Sequence, residues 1–317
     1  MATSSNIEFV PGIQTPNVKW FETENTWCSN SYLVLEGRNL YIVDSGVGSL
    51  HRTELMKAAA RFPDADRVYL LNTHWHLDHS GNGTIVTELR QGFPEVHYLI
   101  PKAAKGDMER FMERANISLV DMGLEGAEWL MDGEEFGFGG VTFGGWRVGE
   151  VYLLSTPGHS PDSLSIYMPS KKAIFTGDLL WYVNPNGPEG SIESLFQSVA
   201  KLKSLVEGEG IDYLGGGHFE PVLGRQRILD HISQYEEKEK ALVRRLEEAV
   251  GGDSVTVDYL LEKLKESDRP AIMEALRINY PYYPSYLHRF IRVFLRERGW
   301  SEVDKEGGGT WSRERPS

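Results

Sequence analysis

The sequence predicts an α/β fold with a helical appendage at its C-terminal end. Segments rich in β-forming residues alternate with helical patterns from residue 31 onward, and the residues beyond about 225 have a nearly all-helical pattern. Alternation of strands and helices is typical of α/β proteins. A chain of 317 residues is long enough for a domain plus an appendage. We therefore expect a main domain at residues 1–224 and a helical region at residues 225–317.

The first third of the chain contains the clearest alternation. Residues 1–30 have no regular pattern, and the β-rich runs Ser31–Glu36 and Asn39–Val43 are joined at Gly37-Arg38, which favours a hairpin. The elements predicted next are a helix at Leu50–Phe62, a strand at Arg67–Asn72, a helix at Asn82–Gln91, a strand at Val96–Ile100 and a helix at Lys102–Ala115.

Glycine and aromatic residues are interleaved between residues 117 and 150, which favours tight hairpins. No helix follows these glycines at the spacing of a phosphate-binding fingerprint. Beyond them the pattern predicts strands at Val151–Ser155, Leu164–Met168 and Ala173–Phe175, a helix through Leu195–Val206 and a strand at Ile211–Leu214.

Amphipathic helices and a frayed tail after Trp300 are predicted for the appendage. Leu287–Arg298 places apolar residues at i, i+3, i+4, i+7 and i+8, the spacing of one helical face. Its arginines could contact RNA or form a solvated, salt-bridged face, and the acidity of the chain favours the second alternative. The other predicted helices are Ile228–Val250, Thr256–Lys265 and Ala271–Ile278.

Composition and charge narrow the class of protein. The formal net charge is −13 and the pI about 5.2, which argues against nucleic acid or an anionic membrane as a partner. The single cysteine, Cys28, excludes an internal disulfide framework and a cysteine-based zinc site. No secretory signal and no apolar run of membrane-spanning length is visible, so we expect a cytoplasmic protein without membrane attachment.

Potential metal ligands gather where predicted strands end. Thr73–Ser80 contains three histidines and one aspartate within six positions, between a buried-strand pattern and a helix start. Open α/β sheets place their sites at such strand ends, and imidazole and carboxylate suit divalent transition metals. Three later strands also end in a candidate ligand, which completes a set of seven: His74, His76, Asp78, His79, His159, Asp178 and His218.

This set is sufficient for two adjacent divalent ions. Residues two apart on an extended loop can face the same ion, whereas adjacent residues point apart. The spacing therefore suggests His74, His76 and His159 around one ion, Asp78, His79 and His218 around the other, and Asp178 as the bridge.

Two such ions supply a nucleophile without a serine or cysteine. Ions about 3.5–4 Å apart can share a hydroxide and polarise a carbonyl or phosphoryl oxygen, because metal binding lowers the pKa of water. Asp78 and Asp178 are then also candidate catalytic residues. Asp44, at a strand end before a glycine turn, either hydrogen-bonds to a ligand or simply initiates the turn.

The same residues carry a resemblance to a known family. His74-Trp75-His76-Leu77-Asp78-His79 resembles the His-x-His-x-Asp-His signature of the metallo-β-lactamase superfamily, and Pro-Gly-His159, Thr-Gly-Asp178 and Gly-Gly-His218 resemble its other ligand motifs. The resemblance covers residues 31 to about 220 and implies an αβ/βα sandwich with the site on one edge. An aspartate at position 178 favours the glyoxalase II, lactonase and lactamase-β-like-2 branch, whose winged-helix-like C-terminal element the appendage also resembles.

The ligand set and the resemblance together imply a dinuclear metallohydrolase. We expect zinc, with iron or manganese as alternatives, and a metal-bridging hydroxide that attacks an ester, thioester, lactone or cyclic amide. Two other functions stay open: a single-strand nuclease or phosphodiesterase using the same ions, and a non-hydrolytic iron-binding member of the superfamily. The nuclease would need a basic groove, which the net charge of −13 argues against.

Aromatic residues beside the ligands suggest where a small-molecule substrate binds. Trp75, Trp181 and Tyr182 could contact an apolar or aromatic substrate, or could pack beneath the loops. The loop Asn279–Tyr286 could cover the site as a lid or form the contact of a homodimer. No clear basic pair follows His218, which weakens the prediction of a hydroxyacylglutathione hydrolase.

Overall fold

Strands and helices alternate along the chain as predicted. The computed structural model describes residues 7–16, 25–115, 118, 123–181, 183–185, 187, 189–278, 285–304 and 309–313. Its strands are β1 (Ile7–Val10), β2 (Gln14–Pro16), β3 (Asn25–Trp27), β4 (Ser31–Glu36), β5 (Asn39–Val43), β6 (Arg67–Leu71), β7 (Glu95–Pro101), β8 (Glu128–Leu130), β9 (Glu134–Phe138), β10 (Val141–Val148), β11 (Val151–Ser155), β12 (Leu164–Met168), β13 (Ala173–Phe175), β14 (Tyr213–Gly215), β15 (Val222–Leu223), β16 (Ser254–Thr256), β17 (Trp300–Asp304) and β18 (Thr310–Arg313). Its helices are α1 (Ser49–Ala59), α2 (Leu77–Ser80), α3 (Ile85–Gly92), α4 (Lys105–Ala115), α5 (Ile192–Glu209), α6 (Arg225–Ala249), α7 (Val257–Lys265), α8 (Pro270–Ile278) and α9 (Ser285–Glu297). Within these described ranges, no helix combines the length and the apolar character needed to cross a lipid bilayer.

Contacts between residues divide the chain into two units. The first unit contains Met1–Thr156, Asp162–Asp178 and Ser204–Ile228. The second unit contains Pro157–Pro161, Leu179–Lys203 and Leu229–Ser317. The chain passes for the last time from the first unit to the second after residue 228, close to the predicted boundary at residue 224. The five-residue loop after β11 belongs to the same unit as the C-terminal helices.

A six-stranded sheet in the order β1-β4-β5-β6-β7-β8 forms one half of the first unit. The hairpin of β4 and β5 is antiparallel, as predicted, and turns at Gly37, whose φ is 60°. β5, β6, β7 and β8 are parallel, so their carboxyl ends lie at one edge of the sheet. Buried residues of this sheet and of the helices that connect its strands form one apolar cluster, which includes Leu33, Ile42, Leu55, Leu70, Leu89 and Tyr98.

The second sheet of the first unit has the order β15-β14-β13-β12-β11-β10-β9. β9 to β13 are joined by antiparallel pairings, whereas β13 and β14 are parallel neighbours. The hairpin of β9 and β10 confirms the prediction from the glycine-rich stretch. Its turn residues Gly139 and Gly140 have φ values of 57° and 77°, the left-handed region that glycine adopts readily in tight hairpins.

A buried apolar layer joins the two sheets of the first unit. Tyr32 and Val43 of the first sheet lie in the same cluster as Ile166 and Phe175 of the second. The ring centroids of Tyr32 and Phe175 are 4.7 Å apart. Full burial of such side chains stabilises a fold by about 1.5–3 kcal/mol each. Two stacked sheets with helices outside confirm the predicted α/β sandwich.

The C-terminal part of the second unit combines α6–α9 with a small sheet in the order β16-β18-β17. The predicted apolar face of α9 is confirmed, because its five apolar positions are buried in the core of this unit. The predicted frayed tail is corrected, because β17 and β18 lie after residue 299. Trp300 and Trp311, only 3% and 6% exposed, anchor these strands in the same core.

The arginines of α9, and Arg298 directly after it, are engaged within the second unit. Arg292 pairs with Glu302, and Arg298 pairs with Glu247 at 2.7 Å. Arg296 donates to the carbonyl oxygen of Gly190 at 2.7 Å. These contacts support the salt-bridged face as the role of this helix, rather than the RNA-contacting face.

A buried carboxyl group lies on the inner side of α6. Glu239 is 0% exposed, and Lys238 Nζ lies 3.9 Å from its Oε1. Burial raises the pKa of Glu239 to about 8, although Lys238, the backbone N–H of Asn184 and Tyr235 favour the charged form. Burial also lowers the pKa of Lys238, against the attraction of Glu239 and Glu274. Glu239 therefore takes up a proton on folding at neutral pH.

Glu239→Gln should change how stability depends on pH. Because the pKa of Glu239 rises from 4.5 unfolded to about 8 folded, its contribution is complete below pH 4.5 and is lost as pH rises to about 8. Glutamine does not titrate, so only the wild type should lose this contribution as the pH rises. The free energy of unfolding of the variant, relative to that of the wild type, should therefore increase by more than about 1 kcal/mol between pH 5 and pH 9. Urea unfolding at constant metal concentration measures this difference. Glu237→Gln, an exposed position of the same helix, should show no such trend, and a flat difference for both variants would contradict the prediction.

Candidate metal centre

The histidine-rich stretch lies directly beyond the carboxyl end of β6, which pairs in parallel with β5 and β7. Thr73 anchors it: its N–H donates to Asp44 Oδ1 at 2.7 Å, and its carbonyl oxygen accepts the N–H of Leu164 at 2.7 Å. Asp78 and His79 then lie on the single helical turn α2. The strand end and the following turn thus hold both parts of the stretch.

One group of candidate ligands comes from three strand ends of the first unit. Asp78 and His79 follow β6, Asp178 follows β13 and His218 follows β14, and one ligand atom of each lies within 4.8 Å of the others. His79 Nε2 is 3.0 Å from Asp178 Oδ1, and His218 Nε2 is 3.0 Å from Asp78 Oδ2. Asp178 and His218 lie side by side because β13 and β14 are parallel neighbours, so the carboxyl ends of these two strands share one edge.

His74 and His76 form a second pair of candidate ligands in the same unit. His74 Nε2 and His76 Nδ1 face each other at 3.0 Å. The Oγ1 of Thr73 lies 3.2 Å from the other ring nitrogen of His74, Nδ1. Two imidazole nitrogens that face one point can bind one cation together. The structure therefore brings these two histidines together as the two-residue spacing predicted.

Asp44 orients His79. Its Oδ2 accepts a hydrogen bond from Nδ1–H of His79 at 2.8 Å, and its Oδ1 accepts the N–H of Thr73. An acceptor at Nδ1 keeps the ring proton there and leaves Nε2 able to bind a metal. Of the two alternatives for Asp44, the structure shows the hydrogen bond to a ligand.

The electrostatics of the four-residue group favour a cation. Burial disfavours the charged imidazole, but the carboxylates of Asp178, Asp44 and Asp78 outweigh it and hold the pKa of His79 well above its ordinary value. Burial also disfavours the charged form of Asp78, but His79 and His218 lower the pKa of this carboxyl. Three carboxylates around one buried imidazole are a negative site, and bound cations are normally the counter-charge of such sites.

The packing also fits a divalent metal ion. His79 is fully buried, and its Nε2 lies 3.0 Å from Asp178 Oδ1 without the geometry of a hydrogen bond to it. Buried polar atoms normally have a partner, and a coordinated ion would be one. The backbone approaches closely at Gly217, where a Cβ would lie 2.5 Å from Asp178 Oδ1 and 2.6 Å from His79 Cε1. The histidine and aspartate ligands therefore indicate divalent metal ions.

His159 lies in the second unit, on the loop Pro157–Pro161 between β11 and β12. It is buried, and its Nδ1 lies 2.7 Å from Asn184 Oδ1. The membership of His159 in the ligand set of His74 and His76 stays a prediction.

The aromatic residues predicted to contact substrate have different environments. Trp75 is 8% exposed and packs in the core of the first unit, with its ring centroid 5.6 Å from that of Phe111. Its burial supports the packing alternative and argues against substrate contact. Trp181 is half-buried. Tyr182 and residues 279–284 of the predicted lid lie outside the described residues.

Two polar residues that contact the candidate ligands or their neighbours, one in each unit, were not predicted from the sequence. Asp162 accepts the backbone N–H of Trp75 at 2.9 Å through Oδ2, and Asn184 contacts His159. Asp162 follows Pro161 in a turn-like segment, where a carboxylate that accepts a backbone N–H is common. Asn184 lies in an irregular segment before Pro185, where no periodic pattern marks it.

Comparison with known proteins agrees with this site. The profile of the metallo-beta-lactamase superfamily matches residues 27–222. An atrochrysone carboxyl ACP thioesterase of Aspergillus fumigatus is 27% identical over 69% of this chain and 60% of its own length. A hydroxyacylglutathione hydrolase of Brucella anthropi is 33% identical over 46% of this chain and 46% of its own length. The chain thus spans less than two thirds of these curated relatives.

Solved structures share the fold. A beta-lactamase domain protein from Burkholderia ambifaria superimposes with a TM-score of 0.58 at 13% identity, over 99% of this chain and 93% of that chain. A metallo-beta-lactamase family protein from Thermus thermophilus superimposes with a TM-score of 0.51 at 19% identity, over 98% of this chain and 99% of that chain. At these identities the likeness concerns the fold alone. Since the family profile covers more than half of the sequence, including every candidate ligand, the chain belongs to the metallo-β-lactamase superfamily.

Proposed function

We propose that the protein is a dinuclear metal-dependent hydrolase of activated acyl bonds. The observation that carries this proposal is the convergence of ligand atoms from Asp78, His79, Asp178 and His218 within 4.8 Å. The pair His74 and His76 on the same stretch supplies further nitrogen ligands. Nitrogen and oxygen donors of this kind suit zinc first, with iron or manganese as alternatives.

We assign His159 to the same ion as His74 and His76. The backbone of the first unit supports this assignment at both ends of the His159 loop. The N–H of Thr156 donates to the carbonyl oxygen of Ser163 at 2.9 Å, and the N–H of Leu164 donates to that of Thr73 at 2.7 Å. The residues that flank the loop are therefore fixed within the first unit, and one of them, Leu164, bonds to the residue that precedes His74. Asp78, His79 and His218 would hold the second ion, and Asp178 would bridge the two.

Two bound divalent ions would supply Lewis acidity and an activated water molecule. The protein's own groups set the geometry for that chemistry. Asp44 holds the proton of His79 on Nδ1. The other ring nitrogen, Nε2, is then free to bind a metal ion and faces Asp178. Asp178 and Asp78 are the carboxylates beside the reaction centre, and we assign proton transfer to Asp178. Trp181, which is half-buried, is the better candidate for substrate contact than the buried Trp75.

An acyl thioester is the substrate class to test first, because one relative is named a thioesterase. Esters, lactones and cyclic amides share the activated carbonyl and form the comparison set. No described contact favours the phosphodiesterase alternative, since Arg292 and Arg296 of α9 and the adjacent Arg298 are engaged with groups of the same unit. The non-hydrolytic iron protein is distinguished by metal analysis.

Chelation and reconstitution test the proposal. Hydrolysis of a panel of acyl thioesters, lactones and aryl esters should disappear after dialysis against a chelator and return with two equivalents of zinc. His76→Ala should lower kcat/KM by more than about 100-fold, which exceeds the loss usual for residues that only support ligands. His97→Ala is the matched control, because His97 lies near the start of β7, away from the ligand edge, and contacts Glu95 and Glu128.

Three outcomes would overturn the proposal. Cleavage of single-stranded RNA without acyl hydrolysis would favour the nuclease. Tightly bound iron with dioxygen consumption and no hydrolysis would favour the redox protein. Acyl hydrolysis that survives both chelation and His76→Ala would show that the activity arises elsewhere in the chain.

A further inference from the structure

Asn184 is a buried residue whose polar groups all have fixed directions. It is 0% exposed and lies in the second unit, before α5. Its Nδ2 donates to the carbonyl oxygen of Trp181 at 2.8 Å. Its Oδ1 lies 2.7 Å from His159 Nδ1. Its backbone N–H donates to Glu239 Oε1 at 3.2 Å.

These contacts determine which way the amide points. A carbonyl oxygen only accepts hydrogen bonds, so the side facing Trp181 must be the NH₂ group. The side facing His159 is therefore the amide oxygen, which also only accepts. His159 must then carry its proton on Nδ1, and its Nε2 keeps the lone pair that a metal needs.

We propose that Asn184 is a positioning residue that fixes the tautomer and ring orientation of His159, and that Glu239 of α6 holds Asn184 in place. This inference rests on the proposed function only in taking His159 to be a metal ligand. A partner at the far ring nitrogen of a ligating histidine is known to set both tautomer and basicity. Here that partner is held by the C-terminal helical region.

Further hydrogen bonds tie the His159 loop to the same unit. The N–H of Ser191 donates to the carbonyl oxygen of Gly158 at 2.9 Å, and Ser198 Oγ donates to that of Pro157 at 2.7 Å. Glu297 of α9 accepts the N–H of Ile192 at 3.0 Å, at the start of α5. The backbone around His159 and its ring are thus supported by residues of the second unit.

The test compares Asn184→Leu with Asn184→Asp and Ser198→Ala. Leucine keeps the size of asparagine but accepts no hydrogen bond, so the affinity for one of two zinc ions should fall by about 10–100-fold. Aspartate can still accept Nδ1–H but presents an oxygen to the Trp181 carbonyl, so we expect a partial recovery. Ser198→Ala removes a hydrogen bond to the same loop without touching the ring and should change the affinity less than about threefold. Competition with a chromophoric chelator measures the affinities.

A second measurement observes the tautomer in the wild type itself. Long-range ¹H–¹⁵N correlation spectra of the wild-type apoprotein at pH 8 should show His159 as the Nδ1–H tautomer, with the signal assigned by its loss in His159→Gln. An Nε2–H tautomer would overturn the inference, and so would equal losses of zinc affinity in Asn184→Leu and Ser198→Ala.

If the tautomer and affinities behave as expected but the wild type hydrolyses no acyl substrate, the proposed function falls and the positioning role stands. Unchanged zinc affinity in Asn184→Leu, in an enzyme that hydrolyses acyl substrates, sinks the inference alone.

Discussion

Asp178→Asn should reduce acyl hydrolysis by more than about 100-fold and lower the bound metal from two ions to one, because a bridging ligand contributes more than the ~10–100-fold of a supporting group. Asp178 Oδ1 lies 3.0 Å from His79 Nε2 and 3.4 Å from His218 Nε2. Asparagine keeps the shape of the side chain and removes its negative charge, so the two proposed ions would lose the group that offsets their repulsion. Elemental analysis of metal content, together with kcat/KM, checks the prediction.

Asp66→Asn is the control for this change. Asp66 is in the same unit, half-exposed, and paired with Arg38. It should keep both ions and full activity. Two bound ions and wild-type kcat/KM in Asp178→Asn would contradict the bridging assignment and would leave Asp78 as the carboxylate that the centre requires.

Asp44→Asn should weaken binding of one metal ion by about 10–100-fold. Asp44 has a φ of 60°, a conformation that asparagine tolerates well among residues other than glycine, so the backbone should not change. If the amide oxygen accepts the N–H of Thr73 as Oδ1 does now, the amide nitrogen faces His79 Nδ1. Two donors then oppose each other, and the proton of His79 moves to Nε2, where it blocks the metal. Zinc affinity and the tautomer of His79 by NMR measure the effect.

Ser45→Ala is the matched control for Asp44→Asn. Ser45 is buried next to Asp44, and its Oγ donates to the backbone carbonyl oxygen of His79 at 3.1 Å, away from the imidazole ring. This variant should lose some stability but keep its zinc affinity. Equal effects of the two substitutions on zinc affinity would show that packing under α2, rather than the tautomer of His79, controls binding.

Local patterns predicted most of the fold because each element has a simple physical signature. The hairpin of β4 and β5 follows from two β-rich runs around Gly37, and the face of α9 follows from its i, i+3, i+4 spacing. The strands around Trp300 and Trp311 were missed, because polar residues surround the tryptophans and the stabilising contacts come from distant parts of the chain. The predicted cytoplasmic location and homodimer remain predictions.

Strand ends in the sequence marked the candidate ligands, whereas the groups that support them depend on three-dimensional contacts. Asp178 and His218 lie together because their strands, β13 and β14, are parallel neighbours, and both lie near Asp78 and His79. A β-rich run that ends in a candidate ligand is visible in the sequence. Asn184 has no such signal, because its role depends on simultaneous contacts with His159 and Glu239 from far along the chain. Trp75 lies between two candidate ligands in the sequence and packs in the core of the first unit, which supports the packing alternative of the two given for it.

The grouping of the His159 loop with the C-terminal helices has a consequence for how the molecule is made. Protein chains leave the ribosome from the N-terminus, and early parts begin to fold first. His74, His76 and His79 are therefore exposed to cellular metal long before α6 and α9 exist. The support for His159 arrives last, with Glu239 and Glu297. On the proposed assignment of ligands, a chain that stops before α6 would keep its candidate ligands but lack the groups that hold His159, so metal loading would become complete only after α6 and α9 have folded.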